Sequence, residues 1–139
     1  ADDKTRFESR ATQLGSQYGA YEPIAGMPLN PELTMGENIG DLGGLTLAYH
    51  AYHLALGDEE ALVLNGFSGD QRFFLAWAQV WKRKYREAEL RQRIVTDPHS
   101  PSEFRTNGIV RNMDAWYDAF GVEPDDALYL APGDRVAIW

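Results

Sequence analysis

Gly36-Glu37-Asn38-Ile39-Gly40-Asp41-Leu42-Gly43-Gly44-Leu45, running on through Thr46 to Leu56, places two carboxylates four residues apart. On a helix that step is about 40° of rotation and about 6 Å of rise, so Glu37 and Asp41 project from one face and can serve one site. Gly40, Gly43 and Gly44 each cost a helix about 1 kcal/mol relative to alanine, and a glycine-rich face lets another element approach closely. An acidic pair on such a face suits a positively charged centre held by a neighbouring helix. A structural reading stands beside this one. Thr34-Met35-Gly36-Glu37 also fits a capping box, with Thr34 as the cap, Glu37 reaching back to its backbone and Asp41 favouring the positive end of the helix dipole.

Outward from this stretch, the pattern predicts further helices. Phe7, Ala11, Leu14 and Tyr18 recur at three- and four-residue steps and predict an amphipathic helix over 4–18. Pro23, Gly26, Pro28 and Pro31 make 19–33 an ordered connection. The second helix is expected to start at Thr34 or Gly36 and stop near Gly57, apolar on most faces beyond Leu42 and therefore central in its domain. Leu62-Val63-Leu64 forms an apolar patch in the loop that follows. Ser68 and Asp70 offer caps for one long helix over 71–91, with Phe74, Trp77, Ala78, Trp81, Tyr85 and Ala88 as its buried stripe.

Two prolines, Pro98 and Pro101, pin His99 on a loop, and Ser100-Pro101-Ser102-Glu103 predicts a capping box and a short turn to Phe104 or Arg105. Asn112 can cap a last helix through Met113, Trp116 and Phe120, ended by Gly121. The tail over 127–139 is expected to be extended and packed by Tyr129, Val136, Ile138 and Trp139.

At 139 residues and 44% hydrophobic, the chain suits a single domain with a real core, taken as residues 1–139. The net charge of -8 argues against a general nucleic-acid binder, which needs a basic surface. Lys82, Arg83, Lys84, Arg86, Arg91 and Arg93 cluster nonetheless, and read as a solvated helix face. Without cysteine, disulfides and thiolate metal sites are excluded, and any metal falls to His, Asp or Glu. No apolar run is long enough for a membrane span, and Ala1-Asp2-Asp3-Lys4 does not begin a signal peptide.

His50 and His53 share a helix face, but the usual zinc-binding pair is four apart, and His50 falls about 140° and about 20 Å from Glu37. They are expected to be packed or exposed side chains. His99 with Arg105 six residues later could donate hydrogen bonds to an oxyanion and to a substrate carbonyl or carboxylate. The alternative is a loop histidine capping backbone groups beside an arginine salt bridge. There is no His-Glu-x-x-His, phosphate loop or dinucleotide fingerprint.

These residues together form a recognisable pattern. Residues 36–44, then Ala48-Tyr49 and Ala51-Tyr52, Phe73-Phe74-Leu75-Ala76-Trp77-Ala78-Gln79-Val80-Trp81, Thr96-Asp97-Pro98-His99-Ser100-Pro101-Ser102-Glu103-Phe104-Arg105 and the final Trp139 occur in this order. The pattern resembles the neprilysin and endothelin-converting-enzyme family of zinc metallopeptidases, with Gln17-Tyr18 and Leu29-Asn30 also fitting. The resemblance spans nearly the whole chain. It implies a mainly α-helical C-terminal portion of a thermolysin-like zincin catalytic domain, with proline-rich connections and an extended tail.

By that resemblance Glu37 looks like the third zinc ligand and Asp41 like the carboxylate that orients a zinc-binding histidine. His99 looks like the transition-state stabiliser and Arg105 like the substrate-backbone anchor. The complete enzyme would then be a metalloendopeptidase acting on peptides, and its site of action would be extracytoplasmic. Gly40 replaces the family's usual alanine. Gln13 and Lys82 stand where animal members have cysteine, which favours a bacterial-type member.

The family's His-Glu-x-x-His helix is N-terminal to this region and absent from the sequence. One ligand cannot hold a catalytic zinc, so the isolated chain is expected to be inactive, to retain no catalytic zinc, and to need the missing N-terminal part as partner. Its uncovered apolar surface favours self-association. A non-catalytic acidic helical peptide-binding or interaction domain is the competing expectation.

Overall fold

Apolar residues at helical spacing, interrupted by proline and glycine, fold residues 2–138 of the computed structural model, those that it describes, into six α-helices. They are α1 (Asp2–Gly19), α2 (Pro31–Leu56), α3 (Gly69–Val80), α4 (Glu87–Thr96), α5 (Ser102–Val110) and α6 (Asp114–Phe120). The tail begins in a turn at Ala127 and Leu128, carries a 3-10 turn at Pro132–Asp134, and is otherwise without regular structure over its described residues. No strand forms among the described residues, only isolated bridges at Ile24 with Met27 and Leu64 with Phe67. The mainly α expectation holds. The role given to Trp139 falls outside the described residues.

The second helix starts three residues earlier than the nearer expected start, at Thr34. Asn30 is its cap, with its side chain accepting from the Glu32 amide at 3.0 Å, and Pro31 fills the first turn, where the missing N–H costs nothing. Thr34 is instead inside the helix, where its hydroxyl and its amide both donate to the Asn30 carbonyl. At the other end Gly57 has φ 59 and ψ -126, a positive-φ conformation reserved for glycine but not the left-handed cap predicted for it.

The single long helix over 71–91 is corrected. Chain 81–86 leaves helical geometry between α3 and α4, because Trp81 packs its ring on Arg105 and the Tyr85 hydroxyl meets Ser102 Oγ at 2.8 Å. Lys82, Arg83, Lys84 and Arg86 are therefore exposed on a loop, and Ala88, expected in the buried stripe, is exposed. Capping by Ser68 is as expected, with Gln71 completing the box.

Two further caps are reassigned. Ser100 does not cap α5 but donates to Asn38 Oδ1, both side chains being buried, and α5 runs on to Val110 rather than stopping at Arg105. Asn112 does not cap α6. Its amide group bridges Gln17 and the Gly108 carbonyl, and its oxygen accepts from the Val136 amide, tying the tail to α1 and α5.

The core is built around α5, which packs against α1, α2 and α3. Ile109 and Val110 meet Leu14 and Tyr18 of α1, Leu42 and Leu45 of α2, Phe74 of α3 and Val136 and Ile138 of the tail in one buried cluster. The expectation that α2 is central holds for its N-terminal half alone. Past Leu45 none of its residues is buried, and Leu47 and Leu54 are 63% and 83% exposed.

Candidate functional site

The packing of α2 against α5 decides where the acidic pair points. Asn38 is fully buried, donating to Thr34 Oγ1 at 3.0 Å and accepting from Ser100 at 2.8 Å. This bond draws the proline-flanked loop against α2 at the residue next to Glu37. On the loop, Asp97 Oδ1 accepts from the His99 amide at 3.0 Å and lies 2.8 Å from its Nδ1, a short Asx-type turn that aims the imidazole. His99 Nε2 then lies 3.1 Å from Glu37 Oε2.

Arg105, in the first turns of α5, faces the other carboxylate. Its Nε and Nη2 donate to the two oxygens of Asp41 at 2.6 and 2.7 Å, a fork-to-fork pair, while Nη2 also lies 3.6 Å from Glu37 Oε2. Trp81 stacks on the guanidinium with 3.9 Å from the ring centroid to its carbon, and Trp77 Nε1 donates to the Arg105 carbonyl. Burial would lower the Arg105 pKa, but Asp41 and Glu37 outweigh it and hold it above its ordinary value.

All four singled-out residues thus meet at one place, in two layers. Asp41 and Arg105 are 10% and 11% exposed and form the inner, dry pair. Glu37 and His99, 45% and 44% exposed, form the outer, accessible one. Glu37 does not fold back on Thr34, so the capping-box reading of this stretch is set aside. Arg105 makes the salt bridge that the structural alternative requires, yet its Nη1 has no partner among the described residues. His53 lies apart from this cluster, sharing Asp70 with the Tyr49 hydroxyl, and His50 is exposed.

Glu37 is the accessible carboxylate that could ligate a metal. Among the described residues no group of three His, Cys, Asp or Glu is arranged to hold one, so a metal on Glu37 would draw its other ligands from elsewhere.

The model of peptidase family M13 matches residues 1–136. This chain belongs to peptidase family M13. Bovine endothelin-converting enzyme 1 is 35% identical over 136 residues, which are 96% of this chain and 18% of that protein. Neprilysin-11 of Caenorhabditis elegans is 38% identical over 138 residues, 96% of this chain and 16% of that protein. The Mycobacterium tuberculosis zinc metalloprotease ZMP1, solved in complex with an inhibitor, superposes with a TM-score of 0.97 at 50% identity, covering 100% of this chain and 22% of that one. The M13 chain therefore spans less than a quarter of the length of these relatives, and it corresponds to the C-terminal helical portion of the family's peptidase structures.

Sequence reasoning passes over three parts of this cluster. Trp81 reads as core, and its partner Arg105 lies 24 residues further on, beyond the reach of local spacing. Asn38, a polar residue on an otherwise buried face, signals a required partner. Asp97, two residues before a histidine, has the spacing of an Asx turn.

Proposed function

We propose that this chain is the C-terminal part of the catalytic domain of a zinc-dependent metalloendopeptidase, to which it contributes Glu37 as a metal ligand, Asp41 as the carboxylate orienting a ligating histidine, His99 as transition-state donor and Arg105 as substrate anchor. The observation that carries this reading is the convergence of residues from 37 to 105 through contacts of 3.6 Å or less, with the outer pair open to the surface. Membership of family M13 supports it against a non-catalytic binding domain.

The residues fit zinc. An exposed carboxylate is a proper zinc donor beside imidazoles supplied by another element, and Oε2 of Glu37 lies 3.1 Å from His99 Nε2 and 3.6 Å from the Arg105 guanidinium, the position a bound cation would compete for. When bound, zinc would polarise the scissile carbonyl and acidify an attacking water.

The chain's own residues do the rest. In this reading Nε2 of His99, whose Nδ1 lies 2.8 Å from Asp97 Oδ1, leaves the Glu37 carboxylate and donates to the developing oxyanion. Arg105, neutralised by Asp41, keeps Nη1 for a substrate carbonyl. No helix among the described residues is long and apolar enough to cross a membrane. The remaining parts of this reading are peptide substrates, an N-terminal part of the domain that supplies His-Glu-x-x-His, self-association of the isolated chain, and action outside the cytoplasm.

Metal analysis and steady-state kinetics on the complete protein test the assignment. Glu37→Ala should release zinc and abolish activity together. His99→Ala should keep zinc and lower kcat by roughly 100- to 1,000-fold with a smaller change in KM, and Arg105→Ala should raise KM more than it lowers kcat. Zinc at wild-type stoichiometry in Glu37→Ala, or unchanged turnover in His99→Ala, would sink it.

A further inference from the structure

Arg93 sits on α4, six residues before His99, and its partners among the described residues are Glu89, Asp97 and the Tyr85 ring. Its Nη1 donates to Asp97 Oδ2 at 2.5 Å, while the other oxygen of the same carboxylate holds the His99 amide and Nδ1. Both oxygens of Asp97 are thus committed, one to each side. A carboxylate held only by His99 could rotate about its terminal torsion, which is broad, and carry the imidazole with it. Arg93 fixes that torsion.

Arg93 is itself fixed from two directions. Its Nε donates to Glu89 Oε1 at 3.1 Å, and its guanidinium carbon lies 5.7 Å from the centroid of the Tyr85 ring. The Tyr85 hydroxyl accepts from the Ser102 amide at 3.2 Å. Ser102 is the first residue of α5. The contacts of Arg93 therefore bracket the loop that carries His99, from the end of α4 to the start of α5.

We infer that Arg93 is a positioning residue for His99, acting through Asp97 and hence on turnover rather than on metal retention or substrate affinity. The inference rests on the reading of His99 as transition-state donor. A partly exposed pair four residues apart is ordinarily worth little in stability, and here its use is geometric: displacements of about 1 Å at a donor can cost up to about 100-fold in rate. Because the Arg93 side chain is one-third exposed and water can partly replace it, the expected loss is smaller, about 10-fold.

The experiment measures kcat, KM, zinc content and thermal unfolding of the complete protein as Arg93→Ala, Arg93→Lys, His99→Ala and the double variant Arg93→Ala/His99→Ala. Arg93→Ala should lower kcat about 10-fold with KM and zinc nearly unchanged, and Arg93→Lys, which keeps one donor for Asp97, should recover part of the loss. In the His99→Ala background, Arg93→Ala should change kcat no further, whereas a merely structural role would lower it in both backgrounds. Wild-type kcat in Arg93→Ala beside an impaired His99→Ala, or equal fractional losses in both backgrounds, would overturn the inference alone. Unchanged turnover in His99→Ala would overturn the role of His99 and the inference with it.

Discussion

Asp41 and Arg105 are charged groups that water scarcely reaches, so each depends on the other. Truncating Asp41 leaves the desolvated guanidinium with the half-exposed Glu37, 3.6 Å away, as its remaining counter-charge, and Asp41→Ala should destabilise the isolated chain by about 3 kcal/mol, read from urea unfolding. Asp41→Asn, which keeps one acceptor, should lose less. Asp97 offers a pH-resolved test. Burial alone would raise its pKa, but the His99 amide, the His99 ring and Arg93 outweigh it and hold the carboxyl below its ordinary value of 3.8. Its stabilising contribution is therefore complete above about pH 4 and is lost as pH falls through the lower, folded value. Asp97→Asn should be less stable than the parent near pH 6, and the gap should close on acidification. A gap independent of pH would mean that the carboxylate charge plays no part. The Glu37 and Asp41 pair is legible in the sequence because four-residue spacing on a helix is local arithmetic. The bond from Asp41 to Arg105 spans 64 residues, and only packing brings its ends together.

The helices show where local patterning stops being decisive. The apolar stripe of 71–91 continues through the gap between α3 and α4 in sequence, yet the docking of Trp81 and Tyr85 on α5 breaks the helix, a tertiary demand that propensity does not register. Asn65-Gly66, both at positive φ and flanked by the Leu64 and Phe67 bridge, is a tight-turn signal that the reading of this segment as a plain loop misses. The same contrast between packed and open surface gives a prediction with opposite signs. A Cβ on Gly108 would lie 2.8 Å from Tyr18 Oη and 2.9 Å from Cζ, and Tyr18 is fully buried with its hydroxyl donating to the Phe104 carbonyl, so it has little room to retreat. Gly108→Ala should cost about 1–3 kcal/mol. A Cβ on Gly40 meets nothing within 4 Å, and Gly40→Ala should stabilise the isolated chain by up to about 1 kcal/mol. Thermal unfolding of the two variants checks this. A destabilised Gly40→Ala would show that the open glycine face is covered even in the isolated chain.

At the scale of the whole molecule two features oppose one another. Leu47 and Leu54 on the uncovered half of α2, Leu62 and Val63 in the loop after it and Val80 at the end of α3 are each more than 60% exposed, and apolar surface of this kind drives association. The net charge of -8 opposes it, since two copies repel as they approach. Salt separates the two effects. Screening shortens the reach of the repulsion to about 10 Å at 0.1 M and about 3 Å at 1 M salt, while the apolar attraction is not weakened. Sedimentation velocity of the isolated chain should therefore show more self-association at high than at low ionic strength, rising with protein concentration. Leu54→Lys, which puts a charge on the most exposed of these side chains, should reduce it without lowering the melting temperature, because Leu54 contributes no buried contact to the core. Association that weakens with salt would instead assign the contact to ion pairs, and a monomer at every salt concentration would mean that the uncovered half of α2 is no sticky surface at all.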